Sequence, residues 1–121
     1  MTETNLALRV AKALYDRKAQ DIRALRVAHL TILTDYLVIA SGHNPIQVRA
    51  LADHLEQELD GDGIRPRRVE GRGEGAWVVM DYGQVIVHIF KPDDRAFYRL
   101  ERLWEDGQNR MPLPFMEAET A

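Results

Sequence analysis

The strongest candidates for catalysis in this sequence are carboxylates at the predicted ends of strands. Asp35, Glu70 and Asp81 each lie beside an apolar run, and carboxylate oxygens are ligands that Mg²⁺ prefers. If the three converge, they could hold the metal of a nucleotidyltransferase. The paired Asp-x-Asp of such enzymes is missing, because Asp60-Gly61-Asp62 falls in a turn that ends a helix. A divalent-metal-dependent nucleotidyltransferase therefore stays an alternative, not the preferred interpretation.

Other catalytic patterns are weaker still. Ser41 is the single serine and lies between a strand and a helix, but the G-x-S-x-G pattern of a nucleophile elbow is absent. The four histidines lack the spacing of metal ligands. The segment Gly71–Gly75 leads into a strand, whereas a phosphate loop leads into a helix. With no cysteine for thiol chemistry, the sequence predicts no catalytic residue, no metal and no cofactor.

A hairpin of two apolar strands, 76–81 and 84–90, offers the clearest candidate binding surface. With Tyr82-Gly83 as a two-residue turn, Trp77 is expected to face His88. Side chains alternate between the faces of a strand, so one face is wholly aliphatic. The other face carries Trp77, Val79, Asp81, Gln84, Ile86, His88 and Phe90. Such a mixture is typical of a protein interface, but a helix of the same chain covering it explains the pattern equally well.

Length and charge limit the possible partners. The 121 residues suit one domain, and 16 basic against 19 acidic residues give a net charge of −3. A protein that binds nucleic acid through phosphates needs a positive excess, so primary nucleic-acid binding is not expected, whereas a basic protein partner is easily accommodated. Apolar runs are too short to span a membrane, the polar start lacks the features of a signal peptide, and a cytoplasmic location is expected.

The pattern of elements predicts an α/β fold, a mixed five-stranded sheet with flanking helices, in the order α-β-β-α-β-β-α. The segments 36–41, 45–60 and 64–70 are expected to form a parallel βαβ crossover. Asn44 and Pro45 are typical of a helix start. The predicted strands are 22–27, 36–40, 64–70, 76–81 and 84–90, and the helices are 5–18, 45–60 and one that begins at Pro92.

The end of the chain is predicted to contain a last helix and a tail. The last helix is expected to run to Gly107 with an apolar stripe of Phe97, Leu100 and Leu103/Trp104. Residues 1–107 are expected to be a single domain. The tail 108–121 is expected to be mobile, or to dock through its apolar residues.

A basic cluster of Arg65, Arg67, Arg68 and Arg72 fits a solvated edge strand, or a contact to RNA or to an acidic partner.

Five segments in order resemble the ribosomal silencing factor family, which is also called Iojap-related. They are Asp35–Gly42 (DYLVIASG), Val69-Glu70-Gly71, Trp77–Gly83 (WVVMDYG), Val85–Phe90 (VIVHIF) and Arg95–Trp104 (RAFYRLERLW). The resemblance runs from about residue 6 to residue 106, and several linked motifs at matching spacings make it specific.

The resemblance implies a nucleotidyltransferase-like fold without catalytic residues. It implies binding to the large ribosomal subunit through its ribosomal protein fourteen, at the face where the small subunit docks. Occupying that face would prevent subunit joining and repress translation when nutrients are scarce. Members of the family are often homodimers when free, and organellar relatives act in assembly of the large subunit, so an assembly factor is a second alternative.

Face geometry and the resemblance together predict the partner-binding residues. Trp77 is the expected apolar anchor, and Asp81 and Glu70 are the expected acceptors for Arg or Lys of the partner. The remaining candidates are Tyr82 and His88 as flanking contacts, and Asp35 and Tyr36 with less support.

Two residues depart from the family pattern. Gln84 stands where an Asp usually follows the turn, and Arg26 replaces an Asp common in the first strand. Each change removes a negative charge, so contacts to a basic partner are expected to differ there.

Overall fold

The structure, a computed structural model, describes residues 2–116. Its regular elements are α1 (Glu3–Asp16), β1 (Gln20–Arg26), β2 (Tyr36–Ser41), α2 (Pro45–Gly61), β3 (Arg68–Glu70), β4 (Trp77–Asp81), β5 (Val85–Phe90), α3 (Pro92–Tyr98) and α4 (Leu100–Trp104). The α/β class and the mixed sheet with flanking helices are confirmed. The order α-β-β-α-β-β-α omits one of the five predicted strands, since three strands follow α2, and it is wrong at its end, where the last helical segment is two helices.

The five strands form one sheet in the order β1-β2-β5-β4-β3. β2 and β5 are parallel, and the other neighbouring pairs are antiparallel. β2 and β3 therefore point the same way, as the crossover requires, but two strands separate them. β3 is shorter than expected, since Pro66 has no N–H for a ladder and pairing begins with the Arg67 N–H on the Asp81 carbonyl at 2.7 Å.

The helices α1 and α2 cover one face of the sheet. α2 begins as the sequence predicts, with the Asn44 side chain accepting a hydrogen bond from the Gln47 N–H at 2.9 Å and Pro45 at the first position. Its buried stripe is Val48, Leu51, Ala52, Leu55 and Leu59. These residues meet the aliphatic face of the hairpin, where Val78, Met80, Val85, Val87 and Ile89 are fully buried.

The hairpin has a register different from the expected one. Trp77 pairs with Phe90 and Val79 pairs with His88, so the expected Trp77–His88 pairing is wrong by two residues. The reason is that the Tyr82 N–H bonds the Val85 carbonyl at 2.9 Å, which puts Gly83 at the first central turn position with φ +88°. Tight hairpin turns require a positive φ there. A shift of two keeps every side chain on its expected face.

The last helical segment breaks at Arg99. This residue adopts a left-handed conformation with φ +48°, and it ends α3 and begins α4. Leu100 and Trp104 pack against the sheet as expected. Phe97 and Leu103 do not, and they are 80% and 74% exposed.

Residues 108–116 of the tail pack against β1, which is the docking alternative. The Arg26 N–H bonds the Asn109 carbonyl and the Met111 N–H bonds the Ala24 carbonyl, both at 2.8 Å. Met111 and Leu113 are buried in the core cluster on the α1 and α2 side of the sheet. The tail thus covers part of the outer edge of β1, and residues 117–121 lie outside the described residues.

Candidate protein-binding face

The second face of the sheet is only partly covered by the chain's own helices. Leu100 and Trp104 of α4 pack over a cluster from β1, β2 and the end of β5, formed by Leu25, Val27, Leu37, Ile39 and Phe90. Next to that cluster, which Trp77 and Ile86 also contact, five side chains of β4 and β5 stay partly exposed. They are Trp77, Val79, Asp81, Ile86 and His88, and we refer to them as the Trp77 face.

Trp77 lies at the border between the covered and the exposed halves. Its indole stacks on Phe90 with ring centroids 4.9 Å apart, and Tyr98 of α3 packs against it at 4.8 Å. Its indole N–H is directed to Nδ1 of His88, 3.0 Å away. Three contacts therefore hold the indole, so little rotamer entropy remains to be lost on binding.

His88 is neutral in this setting. Burial of the imidazole between its neighbours lowers its pKa to about 4, because desolvation disfavours the charged form. The bond from Trp77 requires the same state, since an indole nitrogen is a donor only and Nδ1 must accept. His88 therefore brings no positive charge to the Trp77 face at neutral pH.

Of the two predicted acceptors, Asp81 lies on the face where the sequence places it, and Glu70 lies on the same face. Asp81 ends β4, about 13 Å along the strand from Trp77, and its Oδ1 accepts the Gly83 N–H at 2.8 Å. Glu70 pairs with Val79 across the ladder and is exposed. Its carboxylate is 3.5 Å from the Arg68 guanidinium. Asp81 thus shapes the hairpin turn, and Glu70 shares its charge with a neighbouring arginine.

Two predicted site residues lie on the opposite face, which corrects their placement. Tyr82 is 7% exposed and packs in the core cluster on the α1 and α2 side, where burial raises the pKa of its hydroxyl. Tyr36 packs against the same cluster. The alternation along each strand carries the signal, since Tyr82 follows Met80 and Tyr36 precedes Val38 on the core side.

Asp35 stands at the hairpin end of the sheet. It precedes β2, and its N–H bonds the Gln84 carbonyl at 3.1 Å, which ties the start of β2 to the turn. Its side chain is half-exposed. Asp35 is therefore near the Asp81 end of the sheet and remote from Trp77.

Ser41 and the Gly71–Gly75 segment, which were weighed as catalytic elements, make hydrogen bonds within the fold. Ser41 is buried, and its hydroxyl accepts from the Arg95 guanidinium at 2.9 Å, a group that cannot act as a base. In the Gly71–Gly75 segment the Arg49 guanidinium approaches the Gly73 carbonyl at 3.3 Å. Among residues 2–116, no group of three or more His, Asp or Glu side chains is arranged to hold a metal ion.

Arg95 is a buried charged residue that sequence reasoning missed. It is 5% exposed and donates to the Asp21 carbonyl at 2.6 Å, to the Ser41 hydroxyl and to Glu101 at 3.3 Å. These bonds join β1, the end of β2, α3 and α4. No local pattern marks an arginine for burial, because its partners are up to 74 residues away in the chain.

The basic cluster near β3 is largely paired within the chain. Arg65 pairs with Asp60 at 3.0 Å, Arg72 pairs with Asp53 and Glu56, and Arg68 pairs with Glu70. Such pairing lowers the positive potential that a phosphate backbone would require. The arrangement agrees with the solvated edge strand.

Apolar side chains exposed outside the hairpin were not anticipated. Ile32 and Leu33, in the β1–β2 loop, are 102% and 74% exposed. Phe97 is exposed next to Tyr98, which it meets edge-on at 5.0 Å. The apolar surface around Trp77 therefore extends onto α3.

None of the helices in residues 2–116 has the length and apolar character to cross a bilayer.

Together these features define an α/β domain in which helices cover one side of the sheet and leave an aromatic and acidic area on the other side partly exposed. The sequence profile described as "Ribosomal silencing factor during starvation" matches residues 1–121. A ribosomal silencing factor RsfS of Bacillus subtilis is 37% identical over 107 residues, which cover 88% of this chain and 91% of the relative. The chain belongs to the ribosomal silencing factor family.

Further relatives agree in sequence and in fold. Protein Iojap of maize chloroplasts is 32% identical over 92% of this chain, which spans 48% of that longer protein. A crystal structure of a Chromobacterium violaceum protein superposes with a TM-score of 0.84 at 35% identity, covering 86% of this chain and 87% of that one. A Bacillus halodurans structure superposes with a TM-score of 0.78, also at 35% identity, over 93% of this chain and all of the other. The names of the sequence relatives describe silencing factors and Iojap rather than enzymes.

Proposed function

We propose that this protein binds the large ribosomal subunit through its ribosomal protein fourteen and sterically blocks joining of the small subunit, so that translation is repressed. Membership of the silencing factor family supports the ribosomal role. The single observation that carries the choice of surface is the partly exposed Trp77 face. A rigidly held tryptophan on an incompletely covered sheet is a typical anchor of a protein interface.

The chemistry of the Trp77 face suits a basic protein partner. Val79 and Ile86 provide an apolar centre, and Asp81 and Glu70 flank it with negative charge. Asp81 uses one oxygen in the turn, and a carboxylate has a second acceptor oxygen for a partner Arg or Lys. The indole face attracts cations as well. Arg68 carries a positive charge beside Glu70, and Gln84 is uncharged, so the net negative charge of this surface is small. We therefore expect apolar contact to dominate the affinity.

The mechanism requires occupancy of a surface and no chemical step. The protein acts without a cofactor, in the cytoplasm where ribosomal subunits meet, and it does not depend on membrane or primary nucleic-acid binding. The free chain can form a homodimer, which sedimentation of the purified protein would detect. On the ribosome, the partner's contact with the Trp77 face excludes the small subunit.

The test is co-sedimentation of purified variants with separated large and small subunits. Trp77→Ala removes the anchor and is expected to cost about 2 kcal/mol or more of binding free energy, which is about a thirtyfold loss of affinity. Asp81→Asn keeps an oxygen for the Gly83 N–H and removes the charge, so it should weaken binding most at low salt. Ile46→Ala is the matched control, because Ile46 is 72% exposed on α2, on the other side of the molecule.

Unchanged binding of folded Trp77→Ala would refute this surface. Binding by the unaltered chain to bare RNA with a steep salt dependence would favour the assembly-factor alternative. An unaltered rate of subunit joining in the presence of saturating protein would refute the steric mechanism.

A further inference from the structure

The bond between Trp77 and His88 spans a diagonal of the hairpin. Trp77 pairs directly with Phe90, whereas His88 pairs with Val79, so the two bonded side chains are diagonal neighbours on one face. Diagonal neighbours are within reach of aromatic side chains. The indole therefore covers its direct partner Phe90 with its ring, and its Nε1 reaches Nδ1 of His88 at 3.0 Å.

The same bond decides which group of the indole is left for a partner. Trp77 has one polar atom, the N–H, and it is a donor only. That donor is already satisfied by His88 inside the chain. Every other atom of the indole is carbon, so what a partner can contact suits aliphatic groups and cations and offers nothing to a hydrogen-bond acceptor.

We propose that His88 is a positioning residue: by accepting the Trp77 N–H it fixes the indole over Phe90 and makes the anchor selective for an apolar or cationic group of the partner. The inference rests on the proposed function for the binding role of Trp77. It assigns His88 an action through Trp77 in place of the direct flanking contact expected from the sequence. Stacking on Phe90 and the tilted contact with Tyr98 limit the movement of the ring, and the bond selects its orientation between them.

Two substitutions of His88 separate the hydrogen bond from the packing. His88→Asn keeps an acceptor, because the Asn Oδ1 lies near the place of Nδ1. His88→Phe keeps an aromatic ring and removes the acceptor. Trp77→Phe removes the N–H and leaves Trp104 as the remaining tryptophan, which also assigns the two indole resonances in an NMR spectrum.

The first measurement is hydrogen exchange of the Trp77 indole N–H at neutral pH. Protection is expected in the unaltered chain and in His88→Asn, with exchange about three- to tenfold faster in His88→Phe, as the loss of one hydrogen bond predicts. An indole N–H that exchanges freely in the unaltered chain, or equally slowly in His88→Phe, would overturn the proposal.

The second measurement is affinity for isolated large ribosomal subunits. His88→Phe should weaken binding about three- to tenfold, His88→Asn should restore it, and the effect of His88→Phe should vanish in a Trp77→Phe background. An effect that persists in that background would mean that His88 contacts the partner directly, which contradicts the inference. Failure of the unaltered chain to bind would refute the proposed function, while the exchange measurement would still decide the positioning role.

Discussion

Acid should destabilise this protein through His88, and substitution by asparagine should remove that part of its pH dependence. Burial lowers the pKa of His88 from 6.5 to about 4. Between these values the unfolded chain binds a proton at this position and the folded chain does not. The part of the unfolding free energy that depends on the neutral imidazole is therefore fully present above pH 6.5. It declines as the pH falls and is lost below pH 4.

The size of the effect follows from the same two values. At about pH 5 the linkage amounts to up to about 2 kcal/mol of unfolding free energy relative to about pH 7.5, since one pKa unit corresponds to about 1.4 kcal/mol. The asparagine side chain in the His88→Asn variant does not titrate, whereas every other ionisable group is common to both proteins. The difference between the unaltered chain and His88→Asn thus isolates the contribution of this imidazole.

The assay is urea unfolding of both proteins at a series of pH values from about 7.5 down to about 5, followed by tryptophan fluorescence. We expect the unaltered chain to lose up to about 2 kcal/mol more than His88→Asn over this range. Parallel pH profiles for the two proteins would show that the imidazole is not kept neutral by the fold, and the reasoning about its burial would be wrong.

Two further substitutions test how the fold supports the Trp77 face. Gly71→Ala should lower the free energy of unfolding by about 2 kcal/mol or more. Gly71 has φ +86°, and an added Cβ would lie 1.9 Å from the Trp77 carbonyl oxygen. Gly73→Ala is the control and should change thermal stability little, because its added Cβ meets no atom within 4 Å. Arg95→Met should lower the free energy of unfolding measured in urea by about 3 kcal/mol, because the buried Ser41 hydroxyl and the other acceptors of the Arg95 guanidinium lose their donor. Arg102→Met, at an exposed position, serves as the reference. Equal stability of these two variants would contradict the role of Arg95.

The alternation of side chains predicted the faces of the hairpin even though the pairing was wrong. The turn was assigned to Tyr82-Gly83, and the structure centres it on Gly83 and Gln84. Because the error is two residues and the period of a strand is two, Trp77 and His88 remained on one face. The pairing error did hide the diagonal bond between them, since the expected register placed them directly opposite.

Other features depend on contacts that no local pattern reveals. Arg99 occupies the left-handed region, which is uncommon for residues other than glycine, and this conformation separates α3 from α4. The burial of Arg95 depends on Asp21 and Ser41, which come from distant strands.

The sequence by itself determined the α/β class, most helix and strand positions, the two faces of the hairpin and the family, because apolar periodicity, caps and linked motifs are local properties of the chain. Only the tertiary structure decided that α4 covers the β1 and β2 half of the second face and leaves Trp77 partly exposed. The coverage of a sheet by a helix depends on where a backbone break directs that helix, and this direction is set by packing among residues far apart in the sequence.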